Sequence, residues 1–259
     1  MAVSSKVQDS SRAQVAPKSK VLAHGTKSQS TQIPEEKSKV NDCFSSVIKP
    51  LNQRAGTLDP ELVEAEAEPK IIKVKQGDGG DFTTIMKAIK SVPAGNNKRI
   101  IISIGPGSYQ EKITIPLDKP YVTLMGDPKN MPNLTFDATA KDYGTVDNGT
   151  LTTLSNYFVG AYLNIINNAP KPDGKREGAQ AVALRVSGDR SAFYGCIIFG
   201  FQDTVRETVY YGEYKCTGVG ASSSGREPFT KQLTEKEAEP FLLLDYVAAT
   251  KWLLPPPII

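Results

Sequence analysis

One imidazole serves the whole chain of 259 residues: His24, set in a stretch of Ser, Lys and Gln without apolar periodicity. A Ser-His-Asp or Cys-His centre needs an imidazole beside its nucleophile, and a zinc site normally draws on several His and Cys. The three cysteines, Cys43, Cys196 and Cys216, form no C-x-x-C pair, so ordinary zinc and haem motifs fail too. Carboxylates, amides, hydroxyls and guanidinium groups are left to do any chemistry. The glycine loop Gly77-Asp-Gly-Gly-Asp81 lies between a strand pattern and a helix pattern, which invites a phosphate-binding reading. Phe82, however, stands where the last glycine of G-x-G-x-x-G belongs, and no Lys-Ser/Thr follows. The loop reads instead as part of a cap covering the end of the structure.

Charge divides the chain. Residues 1–40 carry seven Lys/Arg against three Asp/Glu, and the remainder carries 24 against 25, so a basic leader precedes a neutral body. The body has no basic footprint for nucleic acid. Residues 1–41, with eight Ser before residue 40, read as a disordered polar tail. No apolar run of the length a secretory signal or a membrane span needs is visible, so no membrane association is expected.

Order is expected from Asp42. Asp59-Pro60-Glu61 opens a short helix through Ala67, with Asp capping, Pro in the first turn and Glu at the positive end. A strand follows over Lys70–Lys75. A helix with Phe82, Ile85, Ile89 and Val92 at helical spacing then stops at Pro93. Short strands succeed one another over Arg99–Ile104, Glu111–Ile115, Tyr121–Met125, Leu134–Phe136, Leu151–Leu154, Phe158–Asn167, Ala181–Val186, Ala192–Phe201 and Val209–Cys216. A sandwich or barrel would suit that count. Two features favour a solenoid: Phe158–Ile166 and Ser191–Phe199 resemble each other about one coil apart, and both mix small and large apolar residues as stacked ladders require. The pattern predicts an all-β parallel β-helix with an N-terminal capping helix.

Four stretches carry a family resemblance: Gly107-Ser-Tyr-Gln-Glu111, Gln180-Ala-Val-Ala-Leu-Arg185, Gly200-Phe-Gln-Asp-Thr204 and Tyr210-Tyr-Gly-Glu-Tyr-Lys-Cys216. In this order, with the Lys251-Trp-Leu-Leu-Pro-Pro-Pro ending, the chain resembles plant pectinesterases (pectin methylesterases). The resemblance implies a right-handed parallel β-helix and hydrolysis of galacturonate methyl esters in pectin, with methanol released and no metal or cofactor. In that chemistry one Asp attacks the ester carbonyl to give an acyl-enzyme. A second Asp protonates the departing methoxide and then activates water, while side-chain amides hold the oxyanion. Carried over by motif, Asp203 is the acid/base and Gln202 the oxyanion donor. Gln180 and Thr150 are substrate contacts. Tyr109 and Glu111 fit a coil-stabilising role better than a catalytic one.

Two further family sequences are missing. One, Gly-Thr-Val-Asp-Phe-Ile-Phe-Gly, holds the nucleophilic Asp; the other, Leu-Gly-Arg-Pro-Trp, holds the Arg that binds substrate and nucleophile. Val205-Arg-Glu-Thr208 runs instead straight into the C-terminal Val209-Tyr-Tyr-Gly-Glu-Tyr. The expected organisation is therefore a tail over 1–41, the first part of the β-helix over 42–205, and a C-terminal strand and tail over 206–259 joined after an internal gap. Asp137, Asp142, Asp147 and Asp245 have no matching context as substitute nucleophiles. The resemblance implies a pectinesterase by descent with little or no activity, or a non-catalytic pectin-binding β-helix. A pectate lyase would need an acidic calcium cluster that the four motifs argue against. Pectin is the expected partner, the chain is expected to be a monomer, and the family's place is the cell wall. Strand Val209–Cys216 is expected to dock on the coil of Ala192–Phe201, near Cys196, with buried thiols rather than a disulfide. Asn133-Leu-Thr135 and Asn148-Gly-Thr150 fit the glycosylation pattern, which matters only on export.

Overall fold

The computed structural model describes residues 50–54, 56–171, 175–201, 211–213, 230–242 and 247–258. The polar tail and the expected start of order at Asp42 lie outside them.

Helices α1 (Leu51–Arg54) and α2 (Pro60–Glu66) precede strand β1 (Lys70–Val74) and helix α3 (Ile85–Ser91). Strands then follow in short order: β2 (Ile100–Ile104), β3 (Ser108–Gln110), β4 (Ile113–Ile115), β5 (Val122–Met125) and β6 (Asn133–Phe136). After the one-turn α4 (Ala140–Tyr143) come β7 (Leu151–Thr153), β8 (Val159–Ala161), β9 (Asn164–Asn167), β10 (Leu184–Val186), β11 (Ala192–Tyr194) and β12 (Ile197–Phe199). They form three sheets, β1-β2-β5-β8-β11, β4-β7-β10 and β3-β6-β9-β12, and every pairing between these strands is parallel. Each strand pairs with the equivalent strand one coil away. The fold is a parallel β-helix; parallel crossovers are right-handed by general rule.

The two look-alike stretches stack in register as expected, with Val159 opposite Ala192 and Asn164 opposite Ile197. Each is two strands rather than one. The coil must turn a corner, and it does so at Tyr162 (φ 56°) and Gly195 (φ 58°). A side chain on Gly195 would sit 2.8 Å from the Tyr162 ring, so only glycine fits above that tyrosine. The run read as Glu111–Ile115 begins its strand at Ile113, and β3 precedes it.

The core is a set of ladders along the coil axis. Ile113 stacks under Leu151 and Leu184, and Leu134 under Ile165 and Ile198. Leu124 lies opposite Gly160, and Gly160 opposite Phe193, whose ring occupies the space a side chain at 160 would need. Small beneath large is how one coil's bulk is accommodated by the next.

The predicted cap covers the first coil. Ile85, Ala88 and Ile89 of α3 are buried in the same core as β1, β2 and β4. The glycine loop folds back along β1: Asp81 and Phe82 donate their amides to the Lys73 carbonyl, and an Asp81 carboxylate oxygen accepts from the Lys73 amide. Glu111 anchors α3, its two carboxylate oxygens accepting from the Ile85 and Met86 amides at 2.9 Å each. Thr84 accepts from the Lys87 amide. Asp59, expected to cap α2, makes no such bond; its carboxylate accepts from the Tyr157 hydroxyl and pairs with Arg190. A stronger tertiary partner has taken the side chain from the local one.

Beyond the coils, β13 (Tyr211–Glu213) pairs in parallel with β14 (Thr230–Gln232), followed by α5 (Glu235–Leu242) and a 3-10 turn, Ala249–Lys251. Of the strand expected over Val209–Cys216 only β13 is described, and it pairs with β14; the rest lies outside the described residues. The helix α5, with Pro240 inside it, has no counterpart in the sequence reading. Cys196 is a free, half-buried thiol, and burial raises its pKa, which keeps it protonated and unreactive. Cys43 and Cys216 lie outside the described residues.

Glu111→Ala removes two charge-assisted bonds to the cap, each worth about 1.5–3 kcal/mol. Urea unfolding is expected to show a loss within that range or above it, with Glu111→Gln intermediate because one acceptor oxygen survives.

Candidate active site

The sequence-predicted site residues Thr150 and Gln180 flank a corner where β9 ends and β7 and β10 begin. Asn167, the last residue of β9, is fully buried there. Its Nδ2 donates to the carbonyls of Ala138 and Val182 at 2.9 Å and of Asn148 at 3.3 Å, and its Oδ1 accepts from the Ala169 amide. Two N–H groups thus serve three carbonyls on neighbouring coils. Asn148, also fully buried, accepts from the Val182 amide at 3.0 Å and donates to Gly144. Val182 is held at both ends of its peptide, and its carbonyl also accepts from the Thr150 amide at 3.2 Å.

This clamp fixes Gln180 two residues upstream. The Gln180 carbonyl accepts from the Ala140 amide at 2.8 Å, which ties the stretch to the start of α4. Gln180 is half-buried, and its Oε1 is buried with no hydrogen-bond partner. That lack of a partner holds among the described residues, and a buried acceptor left unpaired costs about 1–3 kcal/mol. Gly200 lies against the same stretch: a side chain there would sit 3.3 Å from the Ala181 carbonyl oxygen and 3.7 Å from the Ala183 Cβ. The Gly200-Phe-Gln-Asp-Thr204 motif therefore starts beside the segment that follows Gln180. Gln202 and Asp203 themselves lie outside the described residues.

Thr150 is placed differently from a substrate contact. It has no exposed surface, and its hydroxyl donates to the Ile166 carbonyl at 3.0 Å. In this arrangement it pins β7 to β9.

Around the corner, Lys112 pairs with Asp147 at 3.0 Å and lies 5.2 Å from the centre of the Tyr143 ring, while Arg185 donates to the Val146 carbonyl. Asp142 accepts from the Thr139 hydroxyl and Asp137 is exposed. Asp245 lies outside the described residues. Among the described residues, no group of three His, Cys, Asp or Glu is placed to hold a metal ion. Both glycosylation patterns are engaged internally, Asn148 as above and Asn133 through its Oδ1, which accepts from Asn164 at 2.8 Å. Sequence reasoning missed Asn148 and Asn167. The only signal was an asparagine at the end of an apolar run, just where a coil must turn.

The pectinesterase family model matches residues 71–207. Probable pectinesterase 49 of Arabidopsis thaliana is 33% identical over 335 aligned positions, covering 88% of this chain and 92% of that protein. The chain belongs to the pectinesterase family. Pectinesterase 1 of Olea europaea is 52% identical over 174 residues, 67% of this chain, and the chain spans 48% of that relative's length. Pectin methylesterase from carrot is 28% identical, with a TM-score of 0.44 over 50% of this chain and 39% of that one. The 335 positions aligned with the Arabidopsis pectinesterase outnumber the 259 residues available here, so that relative passes through sequence with no counterpart in this chain. This pectinesterase is internally shortened.

Asn167→Leu removes the Asn167 bonds to the Ala138 and Asn148 carbonyls and to the Ala169 amide, at about 1–3 kcal/mol for each group left unpaired, while the Val182 carbonyl keeps the Thr150 amide. Chemical denaturation is expected to show a loss of at least a few kcal/mol. Asn167→Asp is expected to be worse at neutral pH than in mild acid, because an ionised carboxylate can only accept and would face carbonyl oxygens.

Proposed function

We propose that this chain is a pectinesterase-type carboxylic ester hydrolase by descent, addressed to methyl-esterified homogalacturonan, whose turnover is abolished or nearly so. Asp203 is assigned as acid/base, Gln202 as oxyanion donor and Gln180 as a second amide facing the substrate. The observation that carries the reading is the packing of Gly200 against Ala181 and Ala183, which starts the Gln202–Asp203 motif one coil above Gln180. Thr150 is kept as a holder of the site, since its hydroxyl is already committed to Ile166.

Ester hydrolysis by this route needs a carboxylate to attack the carbonyl carbon, a proton for the departing methoxide, and donors for the oxyanion. The proton and the donors are accounted for by Asp203, Gln202 and Gln180. The attacking carboxylate and its arginine belong to family sequences that this chain lacks. Removal of a catalytic group commonly costs about 10⁴-fold or more in rate. The near neutrality of residues 41–259 supports a carbohydrate rather than a nucleic-acid partner, and the cell wall is the compartment where that substrate is met.

Methanol release from methylated pectin is expected to fall about 10⁴-fold or more below that of a full-length family member, and Asp203→Ala is expected to change it little. Release at family-like rates that is lost on Asp203→Ala would overturn the assignment. The second reading is a non-catalytic pectin-binding β-helix, which the missing family sequences leave in place. Calorimetric titration with methylated and unmethylated oligogalacturonates separates the two, since saturable binding without methanol release supports it.

A further inference from the structure

Beside Gln180 the chain carries an outward-facing segment whose place is fixed by backbone bonds. The Ala140 and Lys141 amides donate to the Gln180 and Gly178 carbonyls, and Asn148 accepts from the Val182 amide. Between these anchors the segment turns Tyr143 and Val146 to solvent, 44% and 60% exposed. The backbone beneath them is held: the Gly144 carbonyl accepts from Asn148 and the Val146 carbonyl from Arg185. Two exposed apolar side chains thus stand in a set position relative to the candidate site.

Lys112 reaches the same segment from an earlier coil. Ile113 pairs with Leu151 and Leu151 with Leu184, so Lys112, Thr150 and Ala183 form one row, each just before its strand. Thr150 and Ala183 are buried, which leaves Lys112 to carry the charge of that row. Its Nζ lies over the Tyr143 ring and pairs with Asp147 at 3.0 Å, and that Asp147 side chain is 60% exposed. Glu111, next in the chain, does not compete for the cation, because both its carboxylate oxygens accept from α3. A solvent-facing ion pair contributes little and is screened by salt, so a carboxylate from outside can take the place of Asp147.

We propose that Lys112 determines which form of pectin this surface accepts: it takes the free carboxylate of an unesterified galacturonate unit in place of Asp147, while Tyr143 and Val146 support the apolar face of the sugar. The inference rests on the reading of pectin as ligand and extends it from the unit at Gln180 to others on the same polymer. Strands one coil apart are separated by about 4.8 Å. Lys112 lies two coils before the Gln180 stretch, hence about 10 Å from it along the axis. It is therefore placed for a different unit from the one whose ester carbonyl faces Gln180. A methyl ester offers oxygens without a charge, and a free acid offers a full negative charge. Only the second can displace Asp147 from the Lys112 cation. A surface so built favours partly de-esterified polymer, and Asp147 sets how strongly it does so.

Calorimetric titration of the full chain with unmethylated and fully methylated oligogalacturonates of equal length tests it. The unmethylated oligomer is expected to bind more tightly, with a preference that shrinks as salt is raised. Lys112→Met is expected to weaken the unmethylated ligand about two- to fivefold and to leave the methylated one as it was. Lys112→Arg is expected to keep the preference, and Asp147→Asn, which frees the cation, to strengthen unmethylated binding by a similar factor. Lys87→Met on the capping helix is expected to alter neither. A Lys112 that only supports the fold would lower both affinities alike. That result, or a preference untouched by Lys112→Met, would overturn the proposal and leave pectin binding standing. Binding of neither oligomer by the unaltered chain would overturn it together with the pectin-binding reading, whereas methanol release at family-like rates would overturn the loss of turnover alone.

Discussion

In-register stacking is the constraint from which the rest of this molecule follows. No described strand is longer than five residues, and within the coils only β1 and β2 are both consecutive and paired; each strand depends on one a coil away. Backbone amides and carbonyls, the apolar ladders and the corner asparagines are satisfied along the same axis. A side chain placed wrongly on one coil therefore disturbs the coils on both sides, which is why Gly160 must be small beneath Phe193. The candidate site inherits its geometry from the same source: Gln180 is placed by Val182, and Val182 by two asparagines belonging to earlier coils.

A second column runs along the opposite corner. Arg99, Tyr121, Tyr157 and Arg190 succeed one another coil by coil. Arg99 lies 5.9 Å from the Tyr121 ring centre, the two tyrosines stack at 4.9 Å, and Arg190 lies 5.0 Å from the Tyr157 ring. Carboxylates of α2 balance the cations, Glu66 on the buried Arg99 at 2.7 Å and Asp59 and Glu61 on Arg190. Tyr157 keeps its proton well beyond neutral pH, first because it is buried and then because its hydroxyl donates to Glu61 and Asp59. Arg54 holds the tail through the carbonyls of Leu253, Ala249 and Thr250. The first helices and the last residues thus meet on the outer face of the longest sheet, so a chain cut short in its middle still brings its two ends together.

The ladders, the cap and the coil spacing were legible in the sequence because they depend on periodicity and residue size. Phe158–Ile166 and Ser191–Phe199 are alike for a physical reason: they occupy the same positions on successive coils. The loop from Gly77 to Asp81 was read as a cap by exclusion of phosphate binding, and its edge contacts with Lys73 bear that out. What escaped the sequence was partner choice. Asp59 has the right type and place for a helix cap, yet Tyr157, 98 residues on, and Arg190, farther still, claim its carboxylate. Thr150 aligned by motif, but only coordinates reveal that its hydroxyl faces Ile166. Asn167 looks like any polar residue after an apolar pair until the three carbonyls around it are known.

Shortening acts on such a fold in a particular way. In a globular core, removing a middle segment orphans contacts on all sides. In a solenoid it exposes one cross-section and leaves the earlier coils as they were, because each coil answers mainly to its neighbours. Chemistry has no such protection. A site that draws residues from several coils of a solenoid loses a group whenever the coil that carries it is lost, while its neighbours stay in place. Family membership and fold can therefore persist when coils are lost. Among the described residues the ladders run on to Leu184 and Ile198, which have the composition of an interior layer.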